Sequence, residues 1–367
     1  MSSLLINPHY CPEDKDIVDF VNSSGIALSE FVEFLRKRQV YVPGTITREV
    51  LAEVVAREIF VWEDVQELLK LLSISKKREK VVMASHLTGA DIEVLEQAVA
   101  SVSQTRNEKY GEGIKITPTA NGGYRVAIEY RKVDYEKTRL IQCVECDTEI
   151  LFDKTGDGFK TRRSSDVKAG EVELAILGEF ERLAVAEKQE LVSEKMLLSR
   201  LVSVEEKVRF FTHLMENIKG YKFQEIKSVK IQSSANEHEV LDSEEGDELA
   251  EEYASTIESL IVSGKNLGAT DLYDHYVGKG YYLTSASWTV ASDTDECRVA
   301  ELKVSFAPYL NDQELQMSLV GVQLYRSGEI QSKAKPNAIQ VSTFAEYVRT
   351  CAEEAIRKIE SERKKEG

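Results

Sequence analysis

No apolar run in this chain approaches the roughly 18 residues that a membrane-spanning helix needs, so a helical membrane protein is not expected. The opening Met1-Ser-Ser-Leu-Leu-Ile-Asn-Pro8 carries neither a basic leader nor a sustained apolar stretch, which argues against a secretory signal and for a cytoplasmic protein. Cysteine is scarce: five in 367 residues, at 11, 143, 146, 297 and 351. An odd, scattered set fits reduced thiols better than a disulfide framework. The phosphate-cradling G-x-x-x-x-G-K-S/T and G-x-G-x-x-G patterns are missing, as are H-E-x-x-H and G-x-S-x-G. The histidines His9, His86, His213, His238 and His275 fall into no recognisable constellation. Lys and Arg vanish between Lys230 and Lys265, where ten of the acidic residues cluster from Glu237 to Glu258. A net charge of -16 excludes a protein that coats nucleic acid with its whole surface, yet this clustering leaves room for basic patches elsewhere.

What is present is, first, period-two alternation. Tyr124 to Tyr130, Arg139 to Phe152 and Gly158 to Arg163 read as an antiparallel meander closed by a Lys154-Thr-Gly-Asp-Gly158 turn. Gly280 to Val290, Arg298 to Phe306 and Leu315 to Tyr325 repeat the pattern. Both copies open on a Gly-Tyr pair and run into a predicted helix, a weak sign of internal duplication. If the duplication holds, two sheets pack as a pseudo-symmetric pair with a ligand groove between them.

Helical periodicity fills much of the rest. Leu28, Phe31, Val32 and Leu35 line one face, Pro43 interrupts, and Thr45 or Thr47 caps a second helix carrying Val50, Leu51, Val54 and Val55. Helices are expected at 61–72, 89–103, 169–201, 251–262 and 342–363. Ser203 and Glu206 form a capping-box pair opening a helix that stops at Gly220. The expected organisation is α+β: a helical domain over 1–108, a first meander with helices over 109–231, an acidic linker over 232–249, and a second meander with a C-terminal helix over 250–367.

The segment 27–58, Ala27-Leu-Ser-Glu-Phe-Val-Glu-Phe-Leu-Arg-Lys-Arg-Gln39, then Val-Tyr-Val-Pro-Gly-Thr, then Arg48 to Arg57, resembles a SAP-like helix-extended-helix module. The resemblance implies DNA binding, with a helix N-terminus and nearby cations meeting backbone phosphates. It would make Arg36, Lys37, Arg38, Thr45, Thr47 and Arg48 the phosphate-facing group, and the basic connector Lys76, Lys77 and Arg78 would add to it.

Other constellations offer chemistry. Asp295, Glu301 and Lys303 echo the spacing of PD-(D/E)xK nucleases, in which two carboxylates hold Mg²⁺ and a lysine sits near the attacking water. Alternation places Glu301 and Lys303 on one strand face and Ala300, Leu302, Val304 and Phe306 on the other. A solvated strand face shows the same pattern. Cys143-Val-Glu-Cys146 lacks a second pair, and completing a zinc set would take His9 and Cys11. Asp153 to Gly158 partly matches a calcium loop, but Thr155 and Ser164 stand where ligands are needed, so it reads as a hairpin turn. Phe344, Val348, Ala352, Ala355 and Ile359 stripe the last helix as core, with a homo-oligomer interface as the alternative use.

The sequence therefore predicts a non-catalytic, nucleic-acid-associated binding or adaptor subunit of a cytoplasmic complex. DNA and other protein subunits are its expected partners, no cofactor is required, and bacterial defence or DNA maintenance would suit it. The alternatives are a Mg²⁺-dependent nuclease on the second meander and a purely protein-binding scaffold.

Overall fold

The computed structural model describes residues 12–74, 80–186, 188–233, 259–263, 281–309, 312–326 and 329–366. The protein is α+β and divides into two compact units, each described on its own. Unit 1 comprises residues 1–77, 103–115 and 127–148, and unit 2 comprises 78–102, 116–126 and 149–367.

Unit 1 is built on α1 (Asp14–Ser23), α2 (Leu28–Lys37), α3 (Arg48–Ala56) and α4 (Trp62–Ile74). Most of the expected stripes face inward: Phe20, Phe31, Leu35, Leu51, Val55 and Leu68 are fully buried in one core, with Leu28, Val32 and Val54 packed against it, but Val50, expected in the second stripe, is exposed. Phe20 meets Phe31 edge to face with ring centroids 6.0 Å apart, the arrangement the ring quadrupoles favour. The Thr47 hydroxyl accepts from the Val50 amide and so caps α3. That settles the choice between the two expected caps.

The described strands form one antiparallel sheet. Its strands are β1 (Val81–Thr88), β2 (Gly113–Pro118), β3 (Tyr124–Val133), β4 (Cys143–Thr155), β5 (Gly158–Ser164), β6 (Leu191–Lys195), β7 (Lys222–Ser233), β8 (Ser259–Ser263), β9 (Tyr281–Ala291), β10 (Cys297–Tyr309), β11 (Asp312–Arg326) and β12 (Glu329–Ile330). The hydrogen-bonded order is β2-β3-β4-β5-β1-β11-β10-β9-β7-β8, with β6 beside β1 and β12 beside β11. Helices α5 (Val94–Tyr110), α6 (Val167–Ala186), α7 (Val204–Glu216) and α8 (Ala338–Glu366), with short 3-10 turns at Arg139–Ile141 and Leu198–Arg200, complete the described regular structure.

The helices cover opposite faces of the two halves of the sheet. On β9, β10 and β11 the residues Ala286, Trp288, Ala300, Leu302, Val304, Met317 and Leu319 join Phe210 and Phe211 of α7 and Phe344, Val348 and Ala352 of α8 in one core. Trp288 is fully buried there, the largest side chain in that core. At the other end the opposite face is covered, with Phe159 of β5 packed edge to face on Phe180 of α6 at 5.3 Å. The C-terminal stripe Phe344, Val348, Ala352, Ala355 and Ile359 is thus spent inside the chain's own core.

Several expectations change. The two meanders form one continuous sheet, not a packed pair, because β1 pairs with β5 on one side and with the end of β11 on the other. That strand lies inside the segment expected to be helical throughout. Its residues are buried on both faces, so the alternation that marks a half-exposed strand is missing. The helix expected over 169–201 ends at Ala186, the chain turning at Lys188 with a left-handed φ of 60° before β6. Of the helix expected over 251–262, residues 259–262 instead belong to β8, where Leu260-Ile-Val262 pairs with β7, the β-branched pair suiting a strand, and 251–258 lie outside the described residues. The acidic stretch from Ser234 onward lies outside the described residues, as does Asp271 to Tyr276, whose sequence predicts a helical turn or two.

Candidate functional site

The strongest candidate arises from the alternation in β9, Ser285-Ala-Ser-Trp-Thr-Val290. Ala286, Trp288 and Val290 enter the core, which sends Ser285, Ser287 and Thr289 to the opposite face. The register carries that face across four strands. Glu225 of β7 lies opposite Thr289, Thr289 opposite Glu301 of β10, and Glu301 opposite Gly321 of β11. One step along, Ser228, Ser287, Lys303 and Ser318 form the next cross-strand row, followed by Lys230, Ser285, Ser305 and Gln316. A hydrophobic strand set thus carries an almost wholly polar face on the side away from α7 and α8, of which Ser285, Ser287, Thr289, Gln316 and Ser318 are buried.

A cleft of about 390 Å³ opens over the first of these rows, lined among others by Glu225, Lys227, Thr289, Glu301, Gln323 and Lys333. Two close ion pairs organise it, Lys333 with Glu301 and Lys227 with Glu225. Gly321 makes the first pair possible. A Cβ at this position would meet Lys333 Cε at 2.1 Å, so any larger residue pushes the lysine off its path across β11.

A second polar group is buried further along the same face. Arg163 of β5 donates from Nε to Glu173 of α6 at 2.7 Å and from Nη2 to Glu314 of β11. All three are under 5% exposed. Burial pushes the Glu314 carboxyl above the ordinary range, against the pull of Arg163, and its Oε1 has no hydrogen-bond partner. Nearby His86 of β1 places Nδ1 2.8 Å from Ser193 Oγ and Nε2 3.1 Å from Thr161 Oγ1, with its ring stacked on Phe159. Burial lowers its pKa to about 4, Glu173 pulling the other way and Lys195 with it. Both ring nitrogens are engaged by protein hydroxyls, so His86 holds three strands together and is not presented to a substrate.

The residues singled out by sequence fall as follows. Glu301 and Lys303 share the polar face as alternation requires, but Glu301 pairs with Lys333 and not with Lys303. Asp295 sits in the β9–β10 turn and accepts from the Cys297 amide at 2.9 Å. Among the described residues no group of three His, Cys, Asp or Glu could hold a metal ion. Cys143 and Cys146 lie on β4, where the Cys146 thiol donates to the Val144 carbonyl at 3.8 Å, while His9 and Cys11 lie outside the described residues. The Lys154–Gly158 turn is the β4–β5 hairpin, and Gly158 fits only because a Cβ would strike the His86 carbonyl oxygen at 2.1 Å.

In unit 1 the phosphate-facing group of the SAP-like reading divides. Arg48 is turned inward, its Nη atoms each 2.6 Å from the carbonyls of Val21 and Ile26. Arg38 is held by Asp64 and the Ile59 carbonyl and lies over the rings of Phe34 and Phe60. Arg36 and Lys37 remain at the surface, paired with Glu33 and Glu67. Thr45 follows Pro43 in the link, Thr47 caps α3, and Lys76, Lys77 and Arg78 lie outside the described residues. Sequence reasoning missed Lys333, Gln323 and Glu225. The last two stand on strands whose polar face was legible, but Lys333 lies beyond β12 and reaches Glu301 only through the fold.

No protein-family model matches the chain, and no curated protein matches it. Among solved structures it is similar to the crystal structure of DynU16, from the dynemicin biosynthetic locus. The two are 10% identical over 77% of this chain and 98% of that one, with a TM-score of 0.18. A likeness that low carries no argument about fold or function. No described helix is long and apolar enough to cross a membrane.

Proposed function

We propose that this is a non-catalytic binding protein that takes a small polar ligand into the cleft over β7, β9, β10 and β11. The observation that carries the reading is the cleft itself. Its 390 Å³ falls in the size range of small-molecule sites, and its floor is a rigid strand face backed by the Trp288 core. Its charged groups are already paired with each other, Lys333 with Glu301 and Lys227 with Glu225, which suits recognition of a ligand bearing groups of both signs. Equilibrium dialysis of the full chain against a pool of polar metabolites, read by mass spectrometry, tests the proposal. The wild type should retain a ligand unchanged and Gln323→Trp, which fills the cleft, should not. Conversion of the ligand, or equal retention by both proteins, would overturn it.

A second reading keeps the chain as a cytoplasmic, nucleic-acid-associated adaptor acting through α2. What supports it is the exposure of the Arg36 and Lys37 side chains, 59% and 61%. Their pairing with Glu33 and Glu67 weakens it. Charge reversal at both positions should abolish salt-sensitive DNA binding; unchanged binding removes the hairpin from consideration.

A further inference from the structure

Lys303 stands at the centre of the row next to the cleft. Ser287 lies directly opposite it on β9 and Ser318 directly opposite on β11, with Ser228 beyond Ser287 on β7. The adjoining row adds Ser285, Ser305 and Gln316. Strand spacing of about 4.8 Å and a two-residue rise of about 6.7 Å put all of these within reach of one lysine side chain.

Three properties separate this cluster from an ordinary solvated strand face. Lys303 is exposed and has no ion-pair partner among the described residues, since Glu301, two residues away, is taken by Lys333. The serines at its base are nearly buried, Ser285, Ser287 and Ser318 at 9%, 5% and 7% exposure. Among them only Ser287 uses its hydroxyl within the described structure, donating to the Leu302 carbonyl at 3.0 Å. Finally, the Gln316 side chain is 8% exposed and its buried Oε1 has no hydrogen-bond partner. Buried polar groups are nearly always satisfied, so one left open on a face lined with idle hydroxyls marks the place of a missing partner.

We propose that this cluster is an oxyanion site, in which Lys303 and the hydroxyls of Ser285, Ser305 and Ser318 take the phosphoryl or carboxylate group of a small ligand. The lysine supplies the charge and the hydroxyls the directed donors. The Gln316 amide offers its NH₂ to the same anion and its oxygen to a donor on the ligand. Lys230, exposed and without an ion-pair partner among the described residues, ends the adjoining row and adds attraction without contact. Glu314, two residues before Gln316 on β11, bounds the site, because a second anion beside that buried carboxyl would be repelled. The proposal rests on the cleft reading only for the rest of the ligand, whose body would lie over Thr289 and Glu301.

The test is residue-specific acylation of lysines in the full chain by an N-hydroxysuccinimide ester, quantified by peptide mass spectrometry. Inorganic phosphate or acetate is raised at constant ionic strength against chloride. Lys303 should be protected in a saturable manner while Lys132, exposed on β3, is not. Whichever of phosphate or acetate protects at lower concentration identifies the group. In Ser318→Ala and Ser285→Ala the anion should bind about 10-fold more weakly, the loss expected for a hydrogen bond to a charged group. Equal labelling of Lys303 in chloride, phosphate and acetate would overturn the oxyanion site, as would protection that both serine variants leave unchanged. Either result would leave the cleft reading standing, because ligand retention on dialysis is measured without these anions.

Discussion

Acid should destabilise unit 2 well before its surface carboxylates titrate, and His86 is the reason. The ring is 1% exposed, and burial holds its pKa at about 4 against 6.5 for an ordinary histidine. A base whose pKa is lower folded than unfolded binds fewer protons in the native state, so stability rises with pH between the two values and is lost as pH falls through them. The two values give a loss of about 2 kcal/mol by pH 5 and about 3 kcal/mol by pH 4. Groups facing the ring act in both directions: Glu173 from α6 favours its protonation, and Lys195 from β6 opposes it. Glu314, whose pKa is raised by burial, contributes the opposite slope above the ordinary carboxylate pKa, so it does not mimic the histidine signal. The assay is urea unfolding of wild type and His86→Gln at pH 7.5, 6 and 5, with the ring titration followed by NMR. The variant is less stable at pH 7.5 because its hydrogen bonds to Ser193 and Thr161 are altered. The gap should close by about 2 kcal/mol at pH 5. A gap that stays constant, or a ring that titrates near 6.5, would refute the reasoning.

Other outcomes follow from the same contacts. Arg163→Met leaves Glu173 and Glu314 buried without their cation and should cost roughly 3–5 kcal/mol in chemical denaturation, while adding Glu314→Gln and Glu173→Gln should recover part of it. Arg48→Met removes two hydrogen bonds to the Val21 and Ile26 carbonyls; unit 1 should lose about 2–3 kcal/mol, measured by hydrogen exchange in α1 and α3, and DNA affinity should not follow. Gly321→Ala forces Lys333 away from Glu301 and should weaken ligand retention in the cleft with little change in melting temperature, since the lysine is half exposed. Ser203→Ala removes the hydroxyl of the capping box on α7 and should cost about 1 kcal/mol in thermal unfolding.

Much of the architecture was legible because it depends on local chemistry. The Ser203–Glu206 box stands where the residues place it, whereas the helix expected to stop at Gly220 already ends at Glu216 with Asn217 as its C-cap, and the left-handed Gly220, with φ of 77°, belongs to the turn before β7. The face assignment along β10 follows from alternation alone, Ala300, Leu302, Val304 and Phe306 buried and Glu301 and Lys303 opposite. Partner choice was not legible. Period two says which face a residue takes and nothing about which strand lies beside it. The passage of β1 between β5 and β11 therefore joined into one sheet what alternation presented as two. Glu301 was found as a polar-face residue, but its partner Lys333 lies 32 positions away, outside any local pattern. Arg48 shows the reverse case. Its position suggests a surface cation, and only the fold shows it spent on two carbonyls.

Titration calorimetry with the ligand retained on dialysis, run on wild-type and Gln323→Trp protein, tests the central claim most directly. The account predicts one site per chain, at least about tenfold weaker in the variant. Equal affinity in the two proteins would contradict it and place recognition somewhere other than the polar face of β7, β9, β10 and β11.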